Sequence, residues 1–371
     1  MHFWRSATPI SNNSPNSLDM LQARYAPYRL EFKEPSGTSR GVMTYKECYM
    51  IQLYDTACPS RVGWGEGALF RGLGSDDEPE YERELARACQ RVGEMPWSDF
   101  LLTLSQWTSM RFGFETAYQE LMGWRDYPST FDRGEQPITI NGLVWMGDKA
   151  TMLRRIEEKL EAGFKCIKLK IGAIDFDAEL ELLRMVRSRF SRRDIELRVD
   201  ANGAFQPREA MRKLDALAQY DLHSIEQPIK AGAWEDMAAL CACTPIPIAL
   251  DEELVACRSV SPQVAAELLD AIHPHYIVLK PSLTGGLSGT DCWIDAATQR
   301  GIGWWITSAL ESNVGLAAIA RYTASLAPTM PQGLGTGALY RNNIPSPLLQ
   351  QGEVLTYNPA GAWDYPQLAW R

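Results

Sequence analysis

Apolar and polar positions change rhythm about a third of the way along the chain. In the first part, Tyr25–Phe32 and Cys48–Tyr54 alternate or run apolar with strand-forming residues, which predicts two strands. Between them, Glu34-Pro35-Ser36-Gly37 is a turn signal, followed by Thr38-Ser39-Arg40-Gly41. Gly63-Trp64-Gly65-Glu66-Gly67 is expected to open a glycine-rich loop that reaches about Asp77. From Glu80 to about Gly123 the period turns helical, with Leu85, Cys89 and Val92 on one face and Phe114, Tyr118 and Leu121 on another. Strands followed by helices predict a small α+β domain over 20–131.

After the polar linker Asp132-Arg133-Gly134-Glu135 the texture becomes repetitive. Short apolar runs recur at Ile138–Leu143, Cys166–Leu169, Ile195–Val199, Leu222–Ile225, Ile246–Leu250, Tyr276–Leu279 and Trp304–Ile306. Amphipathic stretches such as Met152–Ala162, Ala178–Phe190 and Arg208–Gln219 lie between them. Strand alternating with helix predicts parallel βαβ units. Seven or eight in succession close most simply into a barrel over 132–338, with an open doubly wound sheet as the alternative. The Pro-rich, aromatic segment 339–371 is expected to pack back on the first domain. Residues 1–19, rich in Ser, Asn and Pro, are expected to be a disordered extension.

Composition narrows the function classes. With 45% hydrophobic and 22% charged residues, the 371-residue chain is a folding sequence rather than a disordered one. A net charge of −9 argues against nucleic acid as a main partner, because phosphate binding needs a basic surface. No apolar run approaches the ~18 residues of a membrane span, and 1–19 has no signal-peptide core. The eight cysteines are scattered and only Cys241-Ala-Cys243 is a close pair, so neither a zinc site nor a disulfide framework is expected. Reduced thiols and a cytoplasmic home follow as expectations.

The chemistry lies in what ends the apolar runs. The second ends in Lys168-Leu169-Lys170, the third in Asp200, the fourth in Glu226, the fifth in Asp251-Glu252 and the sixth in Lys280. Lys170, Asp200, Glu226, Asp251 and Lys280 are spaced by 30, 26, 25 and 29 residues, about one βα unit each. In a barrel, such strand ends ring a single mouth. Singly, each residue has a bland reading: Lys168 and Lys170 as a solvated strand face, Asp200 as a turn residue, Asp251-Glu252 as a helix start. In register they predict one shared site. Three neighbouring carboxylates need a counter-charge, most naturally a hard divalent cation such as Mg²⁺. A lysine beside that cation can have a lowered pKa and act as a base. Together these groups suit removal of the proton next to a carboxylate.

The segments Ile167-Lys168-Leu169-Lys170, Arg198-Val199-Asp200-Ala201-Asn202, Ile225-Glu226-Gln227-Pro228, Leu250-Asp251-Glu252 and Val278-Leu279-Lys280-Pro281 resemble the enolase superfamily, in its muconate-lactonizing branch. The resemblance covers nearly the whole chain. It implies a modified (β/α)7β TIM barrel with an α+β capping domain formed by the N-terminal third and the C-terminal tail. It also implies Asp200, Glu226 and Asp251 as ligands of Mg²⁺, with Mn²⁺ able to replace it. Lys170 is implied as the base, Lys280 as its partner on the opposite face, and Lys168 as the lysine that tunes Lys170. Glu252 and Asn202 are implied in support of the ligands.

The seventh run ends Ile306-Thr307-Ser308 without histidine, unlike the mandelate-racemase branch. The following Gly333-Leu334-Gly335-Thr336-Gly337 lacks the Asp-x-Asp of dipeptide epimerases. Thr38–Gly41, Gly63–Glu66, Leu283-Thr284-Gly285-Gly286 and Ser308–Gly315 are similar to the o-succinylbenzoate synthase family. That resemblance implies dehydration of 2-succinyl-6-hydroxy-2,4-cyclohexadiene-1-carboxylate in menaquinone or phylloquinone synthesis. Racemisation of N-acylamino acids and cycloisomerisation of muconate are the alternatives within the branch. From other classes, a Schiff-base aldolase or a non-catalytic binding protein would be the competing readings. The partner expected is a small carboxylate; neither nucleic acid nor membrane is expected, and no oligomeric state follows. Ser308, Arg40 and the backbone N–H of Gly333 are the candidate substrate contacts. Pro35–Arg40 and Trp64–Ser75 are the candidate lids, with Trp64 itself expected to pack between domains.

Overall fold

The computed structural model describes residues 21–38 and 41–371; the head of the chain, with Met20, and Arg40 lie outside the described residues. Strands β1 (Leu21–Thr38), β2 (Gly41–Asp55) and β3 (Cys58–Gly67) form an antiparallel sheet, followed by α1 (Tyr81–Arg91), α2 (Trp97–Thr103) and α3 (Thr108–Met122). The expected helical stretch is thus three helices, and the Gly63–Gly67 segment is the end of β3 rather than a loop. The reason is close packing. A Cβ at Gly63 would lie 1.9 Å from the carbonyl oxygen of Ala117, and one at Gly65 1.9 Å from that of Gly113. Glycine lets α3 lie directly on the strand.

The first of the seven apolar runs divides. β4 (Ile138–Thr139) pairs with a late strand, and only β5 (Gly142–Val144) enters the main sheet. Among the described residues, that sheet runs β5, β6 (Cys166–Lys170), β7 (Glu196–Asp200), β8 (Ser224–Glu226), β9 (Ile248–Leu250), β10 (Tyr276–Leu279) and β11 (Gly303–Ile306), with every pair parallel. Between and after these strands lie α4 (Lys149–Glu161), α5 (Phe176–Arg189), α6 (Pro207–Ala218), α7 (Trp234–Cys243), α8 (Glu252–Val255), α9 (Pro262–Ile272), α10 (Gly286–Gln299) and α11 (Asn313–Ser325). Side chains of Asp148, Asp175 and Ser261 accept from the first backbone N–H groups of α4, α5 and α9, which defines where those helices start. The eighth position is taken by two residues. Gln332 bridges to Ile140 and Gly333 to Thr307, which closes the barrel and excludes the open-sheet alternative.

Beyond the barrel, β12 (Leu348–Gln351) and β13 (Val354–Tyr357) form a hairpin that pairs with β4. The last residues return to the first sheet: the backbones of Tyr25 and Arg371 exchange hydrogen bonds of 3.2 and 2.8 Å. Trp64 stacks on Tyr365 with ring centroids 3.8 Å apart, so it packs against this tail and not on the site.

Two buried glutamates fasten the first domain to the barrel. Glu115 of α3 accepts from the backbone N–H of Leu287 at 2.5 Å and from the Ser288 hydroxyl, at the start of α10. Glu66 of β3 accepts from the N–H of Ser312 and of Gly315, both at 3.1 Å, at the start of α11. Both carboxylates meet the positive end of a helix, where unpaired N–H groups collect.

Candidate active site

Parallel pairing brings the charged strand ends to one level. Lys170 stands opposite Asp200, and Asp200 opposite Glu226. Asp251 and Lys280 each follow directly on the last residue of β9 and β10. Alternation then points Lys168 and Lys170 the same way, into the barrel mouth. Asp200, Glu226 and Asp251 are buried, and the lysines nearly so.

Each carboxylate turns one oxygen to a lysine. Lys168 Nζ lies 3.0 Å from Asp200 Oδ2 and 2.5 Å from Glu226 Oε2. Lys170 Nζ lies 2.9 Å from Asp200 Oδ2 and donates to Asn202 Oδ1 at 2.8 Å. Lys280 Nζ pairs with Asp251 Oδ2. Asn202 holds its place by donating from Nδ2 to Glu252 Oε1 at 3.0 Å. Its φ of +45° is left-handed, a region asparagine tolerates better than most residues. Among the described residues no three His, Cys, Asp or Glu side chains stand ready-gathered as a metal shell, because the ammonium groups lie between the acids. Even so, Glu226 Oε1 and Asp251 Oδ1 are buried and accept no hydrogen bond.

The charges set one another's ionisation. Burial opposes the Asp200 carboxylate, but Lys168 and Lys170 outweigh it and hold its pKa well below the usual range. Burial likewise opposes ionisation of Asp251, and Lys280 reverses the balance. Glu226 goes the other way: burial and the neighbouring Asp200 push it up. The lowering expected of a lysine concerns one beside the bound cation; among the protein's own groups alone, Lys168 and Lys280 go up. Burial would lower both, but Asp200 and Glu226 around Lys168, and Asp251 and Glu252 around Lys280, favour the ammonium and raise them.

These groups line one cavity, bounded by Lys168, Lys170, Asp200, Asn202, Glu226 and Lys280. Met43, Phe70 and Leu73 of the first domain close over it, so the segment after β3 does reach the mouth. Leu143 and Trp145 form one wall, with the Trp145 ring centroid 5.7 Å from Lys170 Nζ.

Of the expected substrate contacts, Arg40 lies outside the described residues. Ser308 lines the cavity, but its hydroxyl is engaged: it donates to Glu311 Oε2 at 2.5 Å and accepts from Thr336 Oγ1 and the Leu310 N–H. The cap of α11 is Ser312, not Ser308. Gly333 offers no N–H to a substrate, because that group donates to Ile306 O at 2.8 Å to close the barrel. Trp145 and Thr336 were missed by a search confined to charged strand ends. Trp145 was within reach, since it follows the strand residues Leu143-Val144 and so sits at a strand end.

The chain belongs to the enolase superfamily: the enolase C-terminal domain-like family model matches residues 151–354. It is 46% identical to the o-succinylbenzoate synthase of Desulfotalea psychrophila, over 90% of this chain and 98% of that protein. The crystal structure of MenC from Desulfotalea psychrophila superposes with a TM-score of 0.79 at 42% identity, covering 91% of this chain and 99% of that one. The muconate lactonizing enzyme from Pseudomonas fluorescens shares the fold, with a TM-score of 0.80 at 21% identity over 93% of this chain and 97% of that one.

Proposed function

We propose that this chain is an o-succinylbenzoate synthase, converting 2-succinyl-6-hydroxy-2,4-cyclohexadiene-1-carboxylate into 2-succinylbenzoate and water. The observation that carries this reading is that Lys170 and Lys280 share one cavity with Asp200 and Glu226, with Asp251 paired to Lys280 at its edge. The buried, unpaired Glu226 Oε1 and Asp251 Oδ1 are hard oxygen donors of the kind a divalent cation takes. Asp200, Glu226 and Asp251 would hold that cation, Mg²⁺ in our reading with Mn²⁺ able to replace it, and its charge would stabilise the negative charge that develops on the substrate carboxylate.

Lys170, as the neutral amine, takes the proton from the ring carbon beside the carboxylate, and the C–H electron pair passes onto that carboxylate. The pair then returns to expel the hydroxyl on the adjacent carbon. The Lys170 ammonium gives its proton to that leaving oxygen, water departs, and the ring becomes aromatic. Asn202 aims Lys170 through its 2.8 Å hydrogen bond. Lys280, kept as an ammonium by Asp251 and Glu252, contributes positive charge to the same cavity. Phe70 and Leu73 exclude water from it. The product is the aromatic precursor of menaquinone or phylloquinone. All eight cysteines are free thiols, which supports a reducing compartment, the cytoplasm in our reading.

An ultraviolet assay of the cyclohexadiene acid tests this directly. The chain should convert it with added Mg²⁺, lose activity with a chelator and regain it on resupply. Lys170→Ala should lose at least about 10³-fold in kcat while keeping its circular dichroism spectrum. No conversion with Mg²⁺ present rejects the substrate; full conversion under chelation rejects the cation; near-normal turnover by Lys170→Ala rejects the base.

A further inference from the structure

A second cavity adjoins the first and shares Leu143, Trp145 and Gly335 with it. The incomplete eighth strand explains the opening. Gln332 and Gly333 bridge only to Ile140 and Thr307, whereas β5 runs on to Val144 with β6 as its one partner in the main sheet. The barrel wall is therefore unpaired above Asn141. The space beyond reaches α4 and the Lys33–Pro35 stretch of β1.

Its far side is basic. Lys33, Arg155 and Lys159 line it, against Glu34 and Glu158. Glu158 pairs with Arg154, and Glu34 lies 3.4 Å from Arg155. Arg155 is fixed by its own bonds, donating from Nη1 to the carbonyls of Trp145 at 3.1 Å and Met146 at 3.0 Å. Lys159 has no such engagement. Its stem packs against Gly142 and its Nζ lies 5.1 Å from the Phe164 ring centroid. Among the described residues no carboxylate is within ion-pair distance of it. Burial lowers its pKa, with Glu158 opposing only in part.

We propose that this side chamber is a carboxylate subsite, and that Lys159 recognises the distal carboxylate of a substrate whose other carboxylate lies among the acids and lysines of the barrel mouth. The proposal rests on the synthase reading, in which the substrate is a diacid whose keto-acid arm leaves the ring beside the reacting carbon. The arm passes Trp145, and its carboxylate reaches a half-buried ammonium that has no carboxylate partner among the described residues. Arg155 and Lys33 add positive potential on either side.

The test uses the full-length protein, calorimetry, and two probes: 2-succinylbenzoate and its distal monomethyl ester. The wild-type protein should bind the diacid about ten- to a hundredfold more tightly than the ester, the range for a charge-assisted hydrogen bond. Lys159→Met keeps the stem packing and should bind both alike; Lys159→Arg should restore the preference. A preference that survives Lys159→Met overturns the subsite while leaving the synthase reading intact. Equal binding of both probes by the wild-type protein overturns it too. If the wild-type protein binds neither probe and turns over no cyclohexadiene acid, the synthase reading falls and the subsite with it.

Discussion

Removing the Glu115 carboxylate should loosen the first domain from the barrel. In the folded protein that group is buried and accepts from Leu287 N, Ser288 N, Ser288 Oγ and Arg111 Nε, the last at 3.1 Å. Glu115→Ala strips the start of α10 of its acceptor and leaves the Arg111 guanidinium, itself largely buried, without its partner. Breaking one side of a buried pair typically costs about 3–5 kcal/mol. For 371 residues that corresponds to a fall in melting temperature of roughly 4–6 °C. Differential scanning calorimetry on the wild type, Glu115→Ala and the double variant Arg111→Met/Glu115→Met measures it. The double variant should recover a large share of the loss, because it leaves no stranded charge. A Glu115→Ala protein melting within about 1 °C of the wild type, or a double variant worse than the single, refutes the claim that this contact holds the domains together.

Two further outcomes follow from the barrel. Glu179 accepts from Gly172 N at 2.6 Å, yet burial outweighs its backbone hydrogen bonds and raises its pKa to about 7. The folded state therefore binds more protons than the unfolded state between the ordinary glutamate pKa and 7, and Glu179 costs stability as pH rises through that window. Glu179→Gln should gain on the wild type by up to about 2–3 kcal/mol between pH 4.5 and 7.5 in paired urea titrations; a constant difference contradicts this. At Gly333 an added Cβ would lie 2.2 Å from Thr307 Oγ1, whereas at Gly335 its nearest neighbour is at 3.4 Å. Gly333→Ala should cost about 1–3 kcal/mol and Gly335→Ala little, by thermal melts; equal effects would undo the close-approach argument.

The register of the charged strand ends was legible because it depends on local periods. A parallel strand ends where its apolar run ends, so Lys170, Asp200 and Glu226 could be aligned from spacing alone, and the structure pairs them in that order. What could not be read depends on partners far along the chain. Gly63 and Gly65 look like loop residues until α3, some fifty positions later, presses on them. Ser308 looks available until Glu311 and Thr336 claim its hydroxyl. Gly333 looks like a loop donor until its N–H proves to be the last rung of the barrel.

The pairing of Arg371 with Tyr25, together with Trp64 stacked on Tyr365, has a consequence for synthesis in the cell. The sheet of β1 to β3 is made some three hundred residues before Tyr365 and Arg371, which cover it. Until those residues follow, Trp64 and the edge of β1 stay bare, so the enzyme's birth includes an interval in which a chaperone has something to grip. A chain cut before Tyr365 would prolong that interval for the life of the molecule.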